Sequence, residues 1–466
     1  MLILLSAAHA ASVALSPGDD VASLTASLQP GDEVVFSAGT YTLPDAVTWT
    51  GLGTESAPIV LRGEGDVVLE LQAGWTVAYV NASTFLRVEN LKFRTAAGYS
   101  ERHSGLVIDD SSDITVTDVE IGPVTGTALY LAGNNARVDV SRAHLHDTTD
   151  GNGIYAGCGD ASCWTEDSAF RELWIHDIGG DSNGIELDPG CQGVTIADNV
   201  VYRVSAWGIV TDSTEYGTRN TIEGNAVWET TGGGLYVRGS TLIRNNVVFN
   251  SAGIGMRLSD GDRGTLEDTV VTFNTVADTL DDAVEIHDWA GYTGLVFANN
   301  VLANPTGRAL YFNAGGYDDG VYISQNVVTG LVDGLAATYA GADLPVIAGG
   351  GYFDFVNAES WDFYPASGAA IVDAADPAAS TFVPATDFNG APRDGAAPDA
   401  GAYERAGGEN PGWALQEGFK DLDAYGATPA DVQGGCCDDK EAGAGEALLL
   451  ALAGLGWRRR RRRTAG

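Results

Sequence analysis

Positive charge is scarce in this chain: 25 lysines and arginines stand against 63 aspartates and glutamates, for a formal charge of −38. Such a surface repels nucleic acid and anionic membranes, and suits high salt or divalent cations. Cysteine is scarce too, at five residues, and no histidine partners stand at metal-ligand spacing, so a zinc site is not expected. There is no ten-residue helical period in the middle of the chain, which argues against helical and leucine-rich repeats. A Gly-rich phosphate loop, a G-x-S-x-G elbow and H-E-x-x-H are all missing, and with them the chemistries they serve.

What the sequence has is repetition. The stretch GGGLYVRGSTLIRNNVVFNSAGIGMRLSDG contains one motif twice, a small residue followed by apolar, variable, apolar, variable. The motif recurs at Leu106, Leu129, Ile154, Ile185, Ile209, Leu235, Met256, Val284, Leu310 and Leu335. A second mark, an Asn or substitute before two apolar residues, stands at Asn90, Asp118, Ala143, Leu173, Asn199, Asn225, Asn246, Asn274, Asn300 and Asn326. Self-similarity at this period signals a solenoid whose units bury their apolar face only by stacking. Short alternating runs of Val, Ile, Tyr and Phe between Gly, Asn and Asp read as strands and turns. The expected fold is all-β, a parallel β-helix of about ten coils over residues 81–340, with the first and third motif residues inward and the Asn residues forming an amide ladder at a turn.

The flanks are expected to cap this rod. Residues 17–80 read as a short helix started by Asp19 or Asp20, with Val21, Leu24 and Leu28 on one face, followed by first strands. Residues 341–405, rich in Pro, Gly and Asp, read as a closing segment, and 406–435 as a linker. Residues 1–10 read as a secretory signal with Ala8-His9-Ala10 as its cleavage form. At the other end, Cys436 and Cys437 precede an uncharged run from Ala447 to Trp457 and six arginines, Arg458 to Arg463. An apolar run before an arginine block is the pattern that orients a membrane-retained tail. Cys158 and Cys163 are placed to close a small loop, leaving Cys191 over.

Chemistry is expected on the outward positions, where packing leaves side-chain choice free. The second motif position reads Val107, Tyr130, Tyr155, Glu186, Val210, Tyr236, Arg257, Glu285, Tyr311 and Ala336. The fourth reads Asp109, Ala132, Gly157, Asp188, Asp212, Arg238, Ser259, His287, Asn313 and Thr338. Tyr, Glu, Asp, Arg and His concentrate between Tyr130 and Tyr311, as a glycan-binding strip requires: rings stack on sugars and Arg pairs with carboxylates. Tyr130, Tyr155, Glu285 and Tyr311 are candidate substrate contacts. Arg238, His287, Tyr236 and Arg257 are candidates for proton abstraction beside a uronate carboxylate. Glu186, Asp188 and Asp212 are candidate Ca2+ ligands, or a hydrolytic acid and base, or part of a merely solvated acidic face. His146-Asp147 and His176-Asp177, at equivalent points of successive coils, read as a structural ladder or a metal pair.

The stretches PGDEVVFSAGTYTL, SAPIVLRGEGDVVLE, VTIADNVVYRVSAWGI, VFANNVLANPTGRALYF and DFNGAPRDGAAPDAGAYE together resemble the right-handed parallel β-helix proteins of the pectate-lyase-like superfamily over about residues 17 to 405. The N-terminal part is most similar to alginate lyases and chondroitinase B. The resemblance implies an extracellular polysaccharide as partner and, for those lyases, a Lys and Arg pair with calcium. The only lysine in the coils is Lys92, in the first of them, and the Gly-His-Gly, Arg-Ile-Lys and Tyr-Gly-x-Asp-Pro-His signatures of related hydrolases and epimerases are absent. Catalysis is therefore left open beside a noncatalytic surface rod or adhesin. The tail from Gly435 to Arg463 resembles myxobacterial C-terminal sorting signals, which implies processing near Cys436 and retention of a monomer at the outer surface.

Overall fold

The computed structural model describes residues 11–422 except 99–100, 161, 213–216, 262–263, 290, 314–320, 335–345, 378–381 and 421. The expected signal segment and sorting tail lie outside the described residues. A parallel β-solenoid of about eleven turns fills the described chain, with three short strands per full coil. Ser104–Asp109, Ser112–Thr117 and Glu120–Ile121 are one such set. Each strand pairs in parallel with its counterpart one coil on, so three stacks run the length of the rod.

The motif sets the first stack. Leu106, Leu129, Ile154, Ile185, Ile209, Leu235, Met256, Val284 and Leu310 are successive register partners in one unbroken column. Every one of them is buried. The column also extends to the N-terminal side of residue 81, through Ala78 to Val47. At the far end Leu310 pairs with Val332 after a register shift. The copy expected at Leu335 is therefore not the register partner, and Leu335 lies outside the described residues.

The small residue before each motif has a packing cause. A Cβ on Gly105, Gly208, Gly234 or Gly255 would come within 2.1, 2.3, 2.2 or 2.4 Å of the side chains of Ile121, Val227, Val248 and Val276. Those aliphatics belong to the third stack and cross the narrow core to touch the glycine backbone. A side chain here would have to displace a packed column.

The turn between the second and third stacks holds the amide ladder. Asn199, Asn225, Asn246, Asn274, Asn300 and Asn326 are fully buried. Each of the last five accepts, through its side-chain oxygen, the backbone N–H and the side-chain N–H of the Asn one coil before, at 2.9 to 3.1 Å. Their amide nitrogens donate to backbone carbonyls such as that of Ile222. The turn polar groups are thereby satisfied inside the protein.

Asn90 and Asp118 do not belong to this ladder. They stand one residue earlier, in a left-handed column with φ of 53° and 54°, aligned with Arg142, Glu172 and Asp198. Leu91, Val119, Ala143 and Leu173 fill the ladder position in the early coils and are buried. Asn and Asp are favoured in both places, at one for tolerating left-handed backbone and at the other for bonding, which is why one sequence mark covered two columns.

At the N-terminus the helix is a single turn, Val21–Leu24, and the Asp20 side chain accepts from Ser23 N at its start. Val21 and Leu28 are buried, whereas Leu24 is exposed, because the helix ends before it can present three residues to one face. The C-terminal segment does more than close an end. Phe355, Phe363, Tyr364, Phe388, Tyr403 and Trp413 form a second core against the outer face of the third stack, from Val200 to Val327. Trp413 and Lys420, expected in a linker, are buried in this cover. Lys420 Nζ donates to Asp198 and to the Gly224 carbonyl, both at 2.7 Å.

The register makes a sharp prediction. Leu235→Asp puts an unpaired charge in the core and is expected to cost about 3 kcal/mol or more, whereas Tyr236→Asp is expected to cost little. Equal losses in chemical denaturation would show that the inward and outward columns are exchanged. Asn246→Leu removes the acceptor for Asn225 and the donor to Ile222, so a loss of about 2 kcal/mol or more is expected by the same measurement.

Candidate functional site

The outward second-position column is in register from coil to coil: Tyr130, Tyr155, Glu186, Val210, Tyr236, Arg257, Glu285 and Tyr311 are successive partners. Alternation along each strand points these side chains away from the core, and parallel stacking lays them out at about 4.8 Å per coil. Ala336 and Thr338 lie outside the described residues. Val210 is buried and divides the strip into two groups.

In the first group the rings of Tyr130 and Tyr155 lie 5.3 Å apart. The Tyr155 hydroxyl donates to Asp188, which also accepts from Gly159 N–H. Burial, and then Asp188, push the Tyr155 phenol well above its ordinary range. The Gly159 contact belongs to the loop closed by the Cys158–Cys163 disulfide, while Cys191 is free and buried. Glu186 accepts from the amides of Asn152 and Asn183 at 2.8 Å each.

These contacts bear directly on the calcium expectation. Glu186, Asp188 and Asp212 are adjacent along the ladder but do not converge: two are engaged by neutral donors, and Asp212 is buried 3.6 Å from Arg238. Among the described residues no group of three His, Cys, Asp or Glu is arranged to hold a metal ion. The donor set does not fit a hard cation, which requires several oxygens around one point.

The second group is a compact cluster of opposite charges. Glu285, almost fully buried, accepts from His287 Nε2 at 3.2 Å. His287 Nδ1 faces the Asn313 amide nitrogen at 3.3 Å, so the tautomer that satisfies both contacts carries its proton on Nε2. Arg257 Nε lies 3.8 Å from one Glu285 oxygen and an Arg308 nitrogen 3.7 Å from the other. Arg308 donates to Asp282 at 2.7 Å and covers the Tyr311 ring at 3.9 Å. Arg238 and Arg257 both lie over the Tyr236 ring, at 5.3 and 5.5 Å. Burial, followed by the neighbouring Asp282, raises the Glu285 pKa above the usual carboxylate value against the opposing pull of His287.

Two groups in this cluster face a carboxylate beyond hydrogen-bond distance. Nε of Arg238 and Nε of Arg257 are buried and have no hydrogen-bond acceptor among the described residues. A buried guanidinium N–H left open is costly unless water or a ligand completes it. The structure thus brings together Tyr236, Arg238, Arg257, Glu285, His287 and Tyr311, and keeps Tyr130, Tyr155, Glu186 and Asp188 in a separate group one buried coil away. Sequence reasoning missed Asp282, Arg308, Asn152 and Asn183. Each stands two residues before its motif, a third outward column that a scan restricted to the motif does not include.

His146 and His176 lie on the third stack, away from the strip. Their rings stack with each other at 5.5 Å, and the series continues through Tyr202, Trp228 and Phe249 at 5.2, 4.6 and 5.4 Å. This is the structural ladder, with Asp147 and Asp177 each bonded to the Nδ1 of its preceding His.

The family described as "Right handed beta helix region" matches residues 76–248 and 175–328. The chain belongs to this family. No curated protein sequence matches the beta-helix chain. Among solved structures it is similar to pectate lyase Pel9A, at 14% identity over 84% of this chain and 96% of that one, with a TM-score of 0.52. It is also similar to an alginate lyase from Paenibacillus sp. str. FPU-7, at 17% identity over 65% and 99% of the two chains, TM-score 0.46. The A-module of the Azotobacter vinelandii mannuronan C-5 epimerase AlgE6 matches at 13% identity over 65% and 86%, TM-score 0.49. At 14% identity the likeness to pectate lyase Pel9A shows the fold alone.

The raised Glu285 pKa carries a signed prediction. A carboxyl that holds its proton more tightly when folded contributes stability at low pH that is lost as pH rises through the raised value. Glu285→Gln cannot lose it. The variant is expected to match the parent in melting temperature near pH 4, within the ordinary carboxylate range at about 4.3, and to equal or exceed it at neutral pH. A variant that is less stable only at neutral pH would show that the arginines outweigh burial.

Proposed function

We propose that this protein binds an acidic extracellular polysaccharide along the Tyr236 to Tyr311 strip and modifies it at a uronate residue. The observation that carries this reading is the pair of buried Nε groups on Arg238 and Arg257, which have no hydrogen-bond acceptor among the described residues, beside Glu285 and His287. In a chain of charge −38, a polyanion requires local arginines, and this cluster supplies three. A substrate carboxylate bonded to the open Nε groups has its charge drawn off, which makes the adjacent C–H acidic. Glu285 and His287, bonded to each other, are the groups positioned to accept that proton. Cleavage of the C4–O4 bond, with the electron pair leaving on O4 and a proton returned to that oxygen, gives a C4=C5 unsaturated sugar, whereas return of a proton to C5 from the other face gives an epimer. Tyr236 and Tyr311 offer ring faces to flanking sugars.

A second reading, a noncatalytic glycan-binding surface rod, is favoured by one specific observation. Arg238, Arg257 and Arg308 each have a carboxylate of this chain within 4 Å, at 3.6, 3.8 and 2.7 Å, so their charge is partly spent before substrate arrives. Secretion and retention at the cell surface remain part of the proposal. The Cys158–Cys163 disulfide supports an oxidising compartment.

The deciding experiment incubates the protein with a panel of uronate-containing and neutral polysaccharides, with and without calcium chelator. It reads the ultraviolet absorbance of unsaturated product, the epimer ratio and reducing ends. Turnover on a uronate polymer, lost at least about a hundredfold in Arg257→Ala and Glu285→Gln and insensitive to chelator, is expected. Binding without any product, weakened gradually by Tyr236→Ala, Arg238→Ala and Arg257→Ala, would establish the rod reading. Activity abolished by chelator would return calcium to the site.

A further inference from the structure

Among the described residues, the C-terminal segment covers the outer face of the third stack from Val200 onward and reaches Trp174 at its edge. At that edge Phe419 meets Trp174 at 5.8 Å, and Phe419 and Lys420 line a cavity of about 700 Å3. That volume falls within the roughly 300 to 1,000 Å3 of small-molecule sites. Its floor is Lys92, Glu120 and His144, register partners on three successive coils. Arg142 stands at one side, and Phe419 and Lys420 form the end wall.

Three features separate this cavity from an ordinary crevice in an acidic surface. The chain has three lysines, Lys92, Lys420 and Lys440, and two of them line it. Phe419 is 39% exposed toward it, although Phe388, Tyr403 and Trp413 of the same cover are buried to 2% or less. Lys92 Nζ meets Asp66 at 3.0 Å and Glu120 at 3.1 Å, and an ammonium has three donors, so one N–H remains for a ligand.

The charges indicate which ligand. Each cation is neutralised locally: Lys92 by Asp66 and Glu120, Arg142 by Asp118, and Lys420 by Asp198. His144 adds no charge, since burial holds its pKa down at about 3; its Nε2 faces that of His176 at 2.8 Å and its ring stacks on Trp174 at 3.8 Å. The cavity therefore offers closely spaced donors and acceptors and an aromatic wall, and Glu172 adds a further carboxylate, so no cation is left unpaired for an anion. We propose that it is a second carbohydrate site, which takes a neutral sugar: a pyranose has hydroxyls that both donate and accept, and an apolar C–H face for Phe419. The site lies on a different stack from the uronate strip, so it would hold the rod on a neutral glycan independently of anything done there.

The test is isothermal titration of the intact protein with cellobiose, maltose, mannobiose, galactobiose and a glucuronate-containing disaccharide. At least one neutral disaccharide is expected to bind at a single site. Phe419→Ala and Lys92→Met are each expected to weaken it about tenfold, the loss of one contact to a charged or aromatic group. Arg257→Ala should leave it unchanged, and melting curves confirm that each variant is folded. Lys92→Met keeps the test alive if Phe419→Ala disturbs the cover. Absence of binding by every neutral disaccharide overturns the proposal. So does neutral-sugar binding lost in Arg257→Ala but kept in Phe419→Ala, which would move the sugar to the strip. Binding of the glucuronate disaccharide alone, weakened by Lys92→Met, would overturn the neutral class. The failure of the uronate strip would show only in the Arg257→Ala and Glu285→Gln turnover assays, which the cavity variants do not touch.

Discussion

Everything in this molecule depends on parallel pairing between one coil and the next. A single coil has too little apolar surface to bury, and its inward residues become a core only when Leu129 lies on Leu106 and Ile154 on Leu129. The same stacking turns each turn residue into a member of a column. That is why the buried amides of Asn199 to Asn326 satisfy one another, and why a glycine stands at Gly105, Gly208, Gly234 and Gly255, where the first stack meets aliphatics of the third. A one-residue slip would exchange the inward and outward sets, so the apolar column also fixes what faces solvent.

The freedom left by this constraint is confined to the outward positions, and the chain uses it unevenly. Many outward arginines form ion pairs between neighbouring coils, such as Arg137 with Asp113 and Arg171 with Asp139. Exposed pairs of this kind contribute little stability, and here they offset repulsion within a strongly acidic surface. The strip around Glu285 differs because its charges are partly buried and incompletely paired. Among the described residues, Arg238 and Arg257 keep buried Nε groups without a hydrogen-bond acceptor, and Glu285 is held above its ordinary pKa by burial and by Asp282. A folded protein that tolerates such costs at one place is arranged there for something other than stability.

The C-terminal cover solves a different problem. From Val200 onward the third stack presents Tyr202, Trp228 and Phe249 outward, a face too apolar to leave in water, and the segment from Phe355 to Trp413 buries it. The cover is fixed by two buried cations. Arg393, drawn down to about 10 by burial, donates to Asn245 and to the carbonyls of Gly401 and Ala402, and Lys420 reaches Asp198 and Gly224. Both reach residues near the left-handed turn column, so the irregular segment is located by hydrogen bonds to the most regular part of the rod.

The solenoid, its register, the buried Asn ladder and the disulfide loop were legible in the sequence, because each coil repeats the same local demand: an apolar residue at Leu235 and at Met256, an amide at Asn225 and at Asn246. Local sequence also named the outward strip, since alternation on a strand needs no knowledge of distant contacts. It did not reveal that Asn90 and Asp118 belong to a left-handed column, because one residue type serves both positions. Nor did it reveal Asp282 and Arg308 beside Glu285, or the separation of Glu186, Asp188 and Asp212 by their bonds to Asn152, Asn183, Tyr155 and Arg238. Those depend on which neighbour a side chain finds one coil away. The cover, with Lys420 more than two hundred residues from Asp198 in sequence, was decided only by the folded chain: it follows no repeat, and its partners exist only once the coils have stacked.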